Sequence, residues 1–206
     1  LKWVLSMILP VFGVMAFAQD VKEAAPRDKW LTYSNNLRSD PSLVLYYNFE
    51  QEAKGATITN KASGEDIEGY TAEELDGSIT KGTWVEGRWP GKGALHFEGD
   101  GYIQFRNTAV MKGVLQSRGS MEMWLKPDSV WSAGKNRFLF DAGGYPQWVL
   151  YKSATEDGLE FYLGSPGVPM FSTPGWGWQA EKWYHIAITW DNAGSGENSG
   201  ETWFYV

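Results

Sequence analysis

The chain contains no cysteine. Without cysteine it has no disulfide framework, no thiolate metal site and no cysteine nucleophile. Positive charge is also scarce, since 18 lysine and arginine residues face 25 aspartate and glutamate residues and leave a net charge of −7. A domain this acidic lacks the positive surface that phosphate backbones require, so the charge balance argues against a nucleic-acid partner.

Aromatic residues, in contrast, are abundant. The 206 residues include 12 tryptophans, 10 tyrosines and 10 phenylalanines, which is too much buriable surface for a disordered chain. The length suits one domain whose core is large enough to stand without crosslinks. Together with 24 glycines, this composition indicates a secreted all-β domain.

Residues 1–18 are predicted to be a signal peptide. Lys2 is the only charge, an apolar run follows, and Ala16 and Ala18 form an A-x-A cleavage site before the polar Gln19. Export to the periplasm, the cell surface or the medium follows. The alternative is an uncleaved membrane anchor, which would make the membrane a partner, although a spanning helix usually needs about 20 apolar residues.

Residues 19–41 are predicted to form a linker and a short helix. Asp28 is expected to cap a helix that runs to about Leu37, because apolar residues recur at helical spacing in this stretch. Asp40 and Pro41 are then expected to end it, since the residue before proline avoids the helical region.

From Ser42 onward the hydrophobic period changes to two. Turn residues, among them Gly99–Gly101, separate short apolar stretches, and this alternation predicts an all-β antiparallel sandwich or barrel. The predicted strands are Leu43–Phe49, Tyr102–Phe105, Met121–Leu125, Arg137–Phe140, Gln147–Tyr151, Leu159–Leu163, Trp183–Trp190 and Glu201–Val206.

The stretch Trp183–Trp190 shows the alternation most clearly. Tyr184, Ile186, Ile188 and Trp190 share one face of the predicted strand, and the residues between them are less apolar. The first set is therefore predicted to face the core.

Four segments in this order resemble the laminin-G-like jelly roll of the concanavalin A-like lectin/glucanase superfamily: Leu43–Glu50, Gly93–Ile103, Ser120–Pro127 and Lys182–Asp191. The resemblance implies an antiparallel jelly-roll β-sandwich over residues 42–206. The pattern stops in mid-strand at Val206, which predicts that the domain is truncated there. Members of the superfamily are mostly extracellular binding or spacer modules, and a minority are enzymes.

Glycoside hydrolysis is the enzymatic activity that the resemblance most readily implies. Retaining hydrolases need two carboxyl groups about 5–5.5 Å apart, and jelly-roll glucanases similar to this fold carry them at alternate positions of one strand. Met121–Leu125 holds a single carboxylate, Glu122, and the acidic stretch Glu156–Glu160 is interrupted by a predicted turn. We therefore predict no catalytic residues and no enzymatic activity, with a glycoside hydrolase as an alternative.

Calcium is the cofactor that the loops offer most readily, because hard cations take carboxylate and carbonyl oxygens. The resemblance implies a site at the rim of the sandwich, and the loops of this chain offer Asp100, Asp141 and Asp191 as candidate ligands. The alternative is that these aspartates simply make turns.

Sugar binding is the leading predicted function, with a polysaccharide or glycan as the partner. Aromatic faces suit the apolar face of a pyranose, and Trp176 and Trp178 stand on glycine hinges in a loop-like stretch, with Trp131 and Tyr145 as further candidates. The alternative for these rings is that they close the open end of the sandwich. A structural or protein-interaction module of a larger surface protein, with other surface proteins as partners, is the first alternative function, and the glycoside hydrolase is the second.

Overall fold

The computed structural model divides the chain into two compact units, Leu1–Arg106 and Asn107–Val206. The residues that it describes are 27–50, 56–62, 72–105, 118–129, 131, 134–142, 147–164, 171–175, 177–191 and 201–206. The predicted signal peptide lies outside them.

The described residues of the first unit include an α-helix, α1, over residues 27–38. The prediction that Asp28 caps this helix is wrong, because Asp28 already lies within it and its backbone carbonyl accepts a hydrogen bond from the Thr32 hydroxyl. The helix ends before Asp40, as predicted. The Asp40 carboxylate accepts hydrogen bonds from the backbone N–H and the hydroxyl of Ser42 and closes the turn.

The segment Leu43–Phe49, predicted as a strand, joins no sheet among the described residues. The buried side chain of Asn60 accepts a hydrogen bond from the Tyr46 N–H and donates one to the Val44 carbonyl, and the backbone N–H of Lys61 donates to the Tyr46 carbonyl. Hydrophobic periodicity cannot reveal hydrogen-bond partners of this kind.

The sheet of the first unit is antiparallel, in the order β1-β2-β3. Its elements are β1 (Thr57–Ile58), the 3-10 helix Ala72–Leu75, β2 (Gly77–Glu86) and β3 (Gly93–Phe105). The long strand β2 was not among the predicted strands, because its sequence is rich in threonine, glycine and charge.

The predicted turn at Gly99–Gly101 is wrong, since these residues lie inside β3. The register between β2 and β3 shifts between Thr80 and Gly82, and Lys81 has a φ of 50°. A β-bulge of this kind bends a strand without ending it. Glycine allows the close approach of the two strands at this bulge, because a Cβ on Gly101 would lie only 2.6 Å from the Lys81 carbonyl oxygen.

The part of the second unit that the structure describes forms two antiparallel sheets, one in the order β10-β9-β4 and one in the order β5-β6-β7-β8. Its strands are β4 (Arg118–Leu125), β5 (Arg137–Asp141), β6 (Gln147–Lys152), β7 (Leu159–Gly164), β8 (Phe171–Ser172), β9 (Tyr184–Asp191) and β10 (Glu201–Tyr205). Six of these seven were predicted to within a few residues, and β8 was missed because it is only two residues long.

The two sheets of the second unit pack face to face around one core. Leu150, Leu159 and Phe161 of one sheet meet Ile186, Ile188 and Trp190 of the other. The rings of Phe161 and Trp190 lie 5.7 Å apart between the sheets. The core face predicted for Trp183–Trp190 is confirmed, since Ile186, Ile188 and Trp190 are each at most 3% exposed.

Within the described part of the chain, none of the helices has the length and apolar character needed to cross a membrane.

Candidate functional site

Trp178 was predicted to lie at the surface and stack on a sugar, and the prediction of a surface position is wrong. Only 3% of Trp178 is exposed, and it belongs to the core of the second unit. Its indole N–H donates a hydrogen bond of 2.9 Å to the Asp157 carbonyl, and its ring packs against Tyr184 at 4.8 Å. A sugar has no access to this ring, which packs inside the sandwich.

Trp131, another predicted ligand residue, is half-buried and lies 5.3 Å from Trp178, ring to ring. It packs against the same core. The remaining two, Trp176 and Tyr145, lie outside the described residues. The predicted aromatic platform is therefore not assembled among the residues whose positions are known.

Two of the three predicted calcium ligands form ion pairs with neighbouring side chains. Asp100 pairs with Lys81 at 2.5 Å, and the hydrogen bond from Lys81 lowers the pKa of Asp100. Asp191 pairs with Arg118 at 3.3 Å, and Asp141 is exposed at the end of β5. Across the described ranges, no three histidine, aspartate or glutamate side chains are grouped as a metal site. Calcium stays a prediction that these side chains do not favour.

The structure instead brings together four side chains on the outer side of the four-stranded sheet: Phe138, Tyr151, Glu160 and Tyr162, here called the aromatic face. Glu160 and Tyr162 alternate along β7 with the core residues Leu159 and Phe161, so they point away from the core. The register pairs Phe138 with Tyr151, and Tyr151 with Glu160, across three strands.

The rings of the aromatic face form a row. Phe138 lies 5.4 Å from Tyr151, and Tyr151 stacks on Tyr162 at 5.7 Å with an interplanar angle of 14°. Phe138, at the end of the row, is 60% exposed. The row therefore presents an accessible ring beside half-buried hydroxyls.

A carboxylate lies at the centre of this face. Glu160 Oε2 accepts hydrogen bonds from the Tyr151 hydroxyl at 2.5 Å and the Tyr162 hydroxyl at 3.0 Å. Burial would raise the pKa of Glu160, but hydrogen bonds from Tyr151, Ser153 and Tyr162 hold it below the ordinary value. Burial, together with the hydrogen bond to Glu160, raises the pKa of Tyr151. At neutral pH the face thus carries an ionised acceptor and neutral phenols.

The outer side of the β10-β9-β4 sheet carries a different cluster of side chains. Trp124 stacks on His185 at 4.7 Å, and His185 Nε2 lies 3.4 Å from the Glu122 carboxylate. Trp203 of β10 is 56% exposed on the same side as Thr189, its partner in the register. The candidate carboxylate Glu122 therefore faces an imidazole.

Residues 97–206, more than half of the chain, match the laminin-G family described as the concanavalin A-like lectin/glucanases superfamily. The chain belongs to this superfamily. The match covers the second unit, with both of its sheets, and the end of β3. No curated protein and no solved structure matches the chain.

Membership in the concanavalin A-like superfamily confirms both the resemblance and the fold class, mostly β with antiparallel sheets and one short helix. The aromatic face of this superfamily domain was not predicted, although one signal for it was present. The alternation of β7 places Glu160 and Tyr162 on one side, and the turn at Asp157 and Gly158 pairs β7 with β6.

Proposed function

We propose that this concanavalin A-like domain binds a carbohydrate without cleaving it, through the aromatic face of its four-stranded sheet, and that it does so outside the cytoplasm. The observation that carries the proposal is an exposed phenylalanine ring, Phe138, in line with a tyrosine pair that holds an ionised carboxylate. A pyranose has an apolar C–H face for such a ring and hydroxyl groups for such an acceptor.

The chemistry of Glu160 supports binding over catalysis. A general acid must be protonated at the working pH, whereas the hydrogen bonds to Glu160 lower its pKa. Its hydrogen-bond partners are tyrosine and serine hydroxyls, while retaining hydrolysis uses a second carboxyl group about 5–5.5 Å away. Tyr151 is unsuited as a nucleophile, because its raised pKa keeps the phenol neutral.

Affinity electrophoresis in gels that contain soluble polysaccharides tests the proposal. Phe138→Ala should weaken retention by about two- to twelvefold, because an aromatic contact contributes about 0.5–1.5 kcal/mol beyond its area. The melting temperature should be unchanged, since Phe138 is exposed. Trp203→Ala is the matched control, because it removes an equally exposed ring from the other sheet.

Two results would count against this site. Wild-type protein that no polysaccharide retards would remove the binding function. Retention that depends on Trp203 and not on Phe138 would place the binding site on the β10-β9-β4 sheet.

The alternative function, a protein-interaction module, is favoured by one observation on the β10-β9-β4 sheet. Trp124, Trp203 and Tyr205 are 45%, 56% and 56% exposed. Exposed rings of this size are enriched where proteins meet. Trp203→Ala would then disrupt association with another surface protein and leave polysaccharide retention intact.

A further inference from the structure

Three cationic side chains converge in the first unit, which the match to the superfamily covers only from residue 97. Arg27 comes from α1, and Arg88 and Lys92 come from the connection between β2 and β3. Glu50 pairs with two of them, at 3.4 Å from Lys92 and 3.7 Å from Arg27. Burial lowers the pKa of Lys92, the Glu50 carboxylate acts in the opposite direction, and the nearby charges of Arg88 and Arg27 lower it further. The cations therefore repel one another, and Glu50 offsets part of that repulsion.

Two tryptophans connect these cations. The Arg88 guanidinium lies 5.0 Å from the Trp89 ring centre, and Lys92 Nζ lies 4.9 Å from the Trp30 ring centre. The two rings meet edge to face at 6.0 Å. The indole nitrogen of Trp89 is buried and has no hydrogen-bond partner among the described residues. A buried donor without an acceptor is unusual and calls for an explanation.

We propose that Arg27, Arg88 and Trp89 bind the oxyanion of an acidic sugar residue, either a uronate carboxylate or a sulfate ester, with Trp30 beside the sugar ring. An oxyanion would relieve the repulsion among the cations. Guanidinium groups bind such oxyanions through paired hydrogen bonds, and the indole N–H would gain an acceptor. The adjoining rings suit the apolar face of a pyranose. This site lies apart from the aromatic face in sequence and goes beyond the function proposed for that face.

The full chain can be tested by affinity electrophoresis against polygalacturonate, dextran sulfate and neutral dextran. The net charge of −7 disfavours general attraction to the acidic polymers. Arg88→Gln is the first variant, because Arg27 also donates a hydrogen bond to the Gly91 carbonyl and its loss would disturb the loop. Trp89→Phe keeps a ring and removes the indole donor. Lys81→Gln is the matched control, because it removes an exposed positive charge from the same unit.

The expected result is retardation of the wild type by at least one acidic polymer and not by dextran. Arg88→Gln and Trp89→Phe should each raise the Kd about tenfold, and Lys81→Gln should change it by less than about twofold. The variant Phe138→Ala should keep this binding, which separates a failure here from a failure of the aromatic face. If Arg88→Gln melts early, Trp89→Phe still decides.

Three results would overturn the proposal. One is a wild type that neither acidic polymer retards. Another is an equal loss in Lys81→Gln, which would mean diffuse electrostatic attraction. The third is displacement by free sulfate as effectively as by oligogalacturonate at equal charge, which would mean that the sugar contributes nothing.

Discussion

Lys152 is fully buried and places its ammonium nitrogen 3.2 Å from the carboxylate of Asp157. Asp157 lies in the turn between β6 and β7 with a φ of 55°, and its carbonyl accepts the Trp178 indole N–H. One turn residue therefore neutralises a buried cation and binds a core indole. The ion pair and the hydrogen bond together bind the β6–β7 turn to the core.

Losing the anion of this pair should cost more than losing the cation. Asp157→Ala removes the carboxylate beside the buried Lys152 ammonium and puts alanine at a positive φ, so we expect a loss of about 3 kcal/mol in the free energy of unfolding. Lys152→Met removes the buried cation and leaves the Asp157 carboxylate, whose side chain is 33% exposed and can be hydrated, so its loss should be smaller. Urea denaturation measures both, and a Lys152→Met loss as large as that of Asp157→Ala would contradict this account.

Trp178→Ala should destabilise the second unit by about 3–5 kcal/mol, as expected for a large side chain removed from a core. Trp178→Phe fills part of the cavity and should cost less. Thermal unfolding measures both, with Trp190→Ala as a second core substitution of the same kind. If Trp178→Ala left the melting temperature unchanged, this ring would again be a candidate surface ligand residue.

Gly119 of β4 leaves the space that the indole of its register partner, Trp190, occupies. A Cβ at this position would overlap the six-membered ring, so Gly119→Ala should cost about 1–3 kcal/mol. Trp190→Phe shortens the ring system and should relieve the clash. The test is a double-mutant cycle by chemical denaturation. Additive losses in the double variant would show that the two positions do not compete for space.

The ionised state of Glu160 should contribute to stability at neutral pH. Its pKa in the folded protein is below the unfolded value of about 4.3, so this contribution is present above that value and is lost as the pH falls through the folded pKa. Glu160→Gln should therefore lower the melting temperature at pH 7 and converge with wild type in acid. Curves that stay parallel across the acid range would rule out this role.

The sequence predicted the second unit well because alternation and turn chemistry agree there. Strands β4 to β7, β9 and β10 pack one side against a shared core, so a period of two is visible in the letters, as in Trp183–Trp190. Leu43–Phe49 has the same apolar pattern but pairs through the side chain of Asn60. A contact between residues 46 and 60 depends on tertiary structure and leaves no periodic signal.

The candidate site was harder to predict than the fold. The glycines beside Trp178 indicated an exposed loop, but the ring packs in the core and its indole N–H donates to the Asp157 carbonyl, 21 positions away. The Tyr151–Glu160 contact, in contrast, depends on the register of one hairpin. Local periodicity gives the side of a strand on which a residue lies. It does not give the residue on the next strand that meets it.

The two sheets of the second unit differ in how far apart along the chain their strands lie. The strands β5 to β8 follow one another in a meander, while β4 pairs with β9, and Arg118 contacts Asp191 across 73 positions. Ordering a long loop costs entropy before its contacts form. We therefore expect the meander to gain protection from hydrogen exchange first during refolding, with the pairing of β4 and β9 as the slow step.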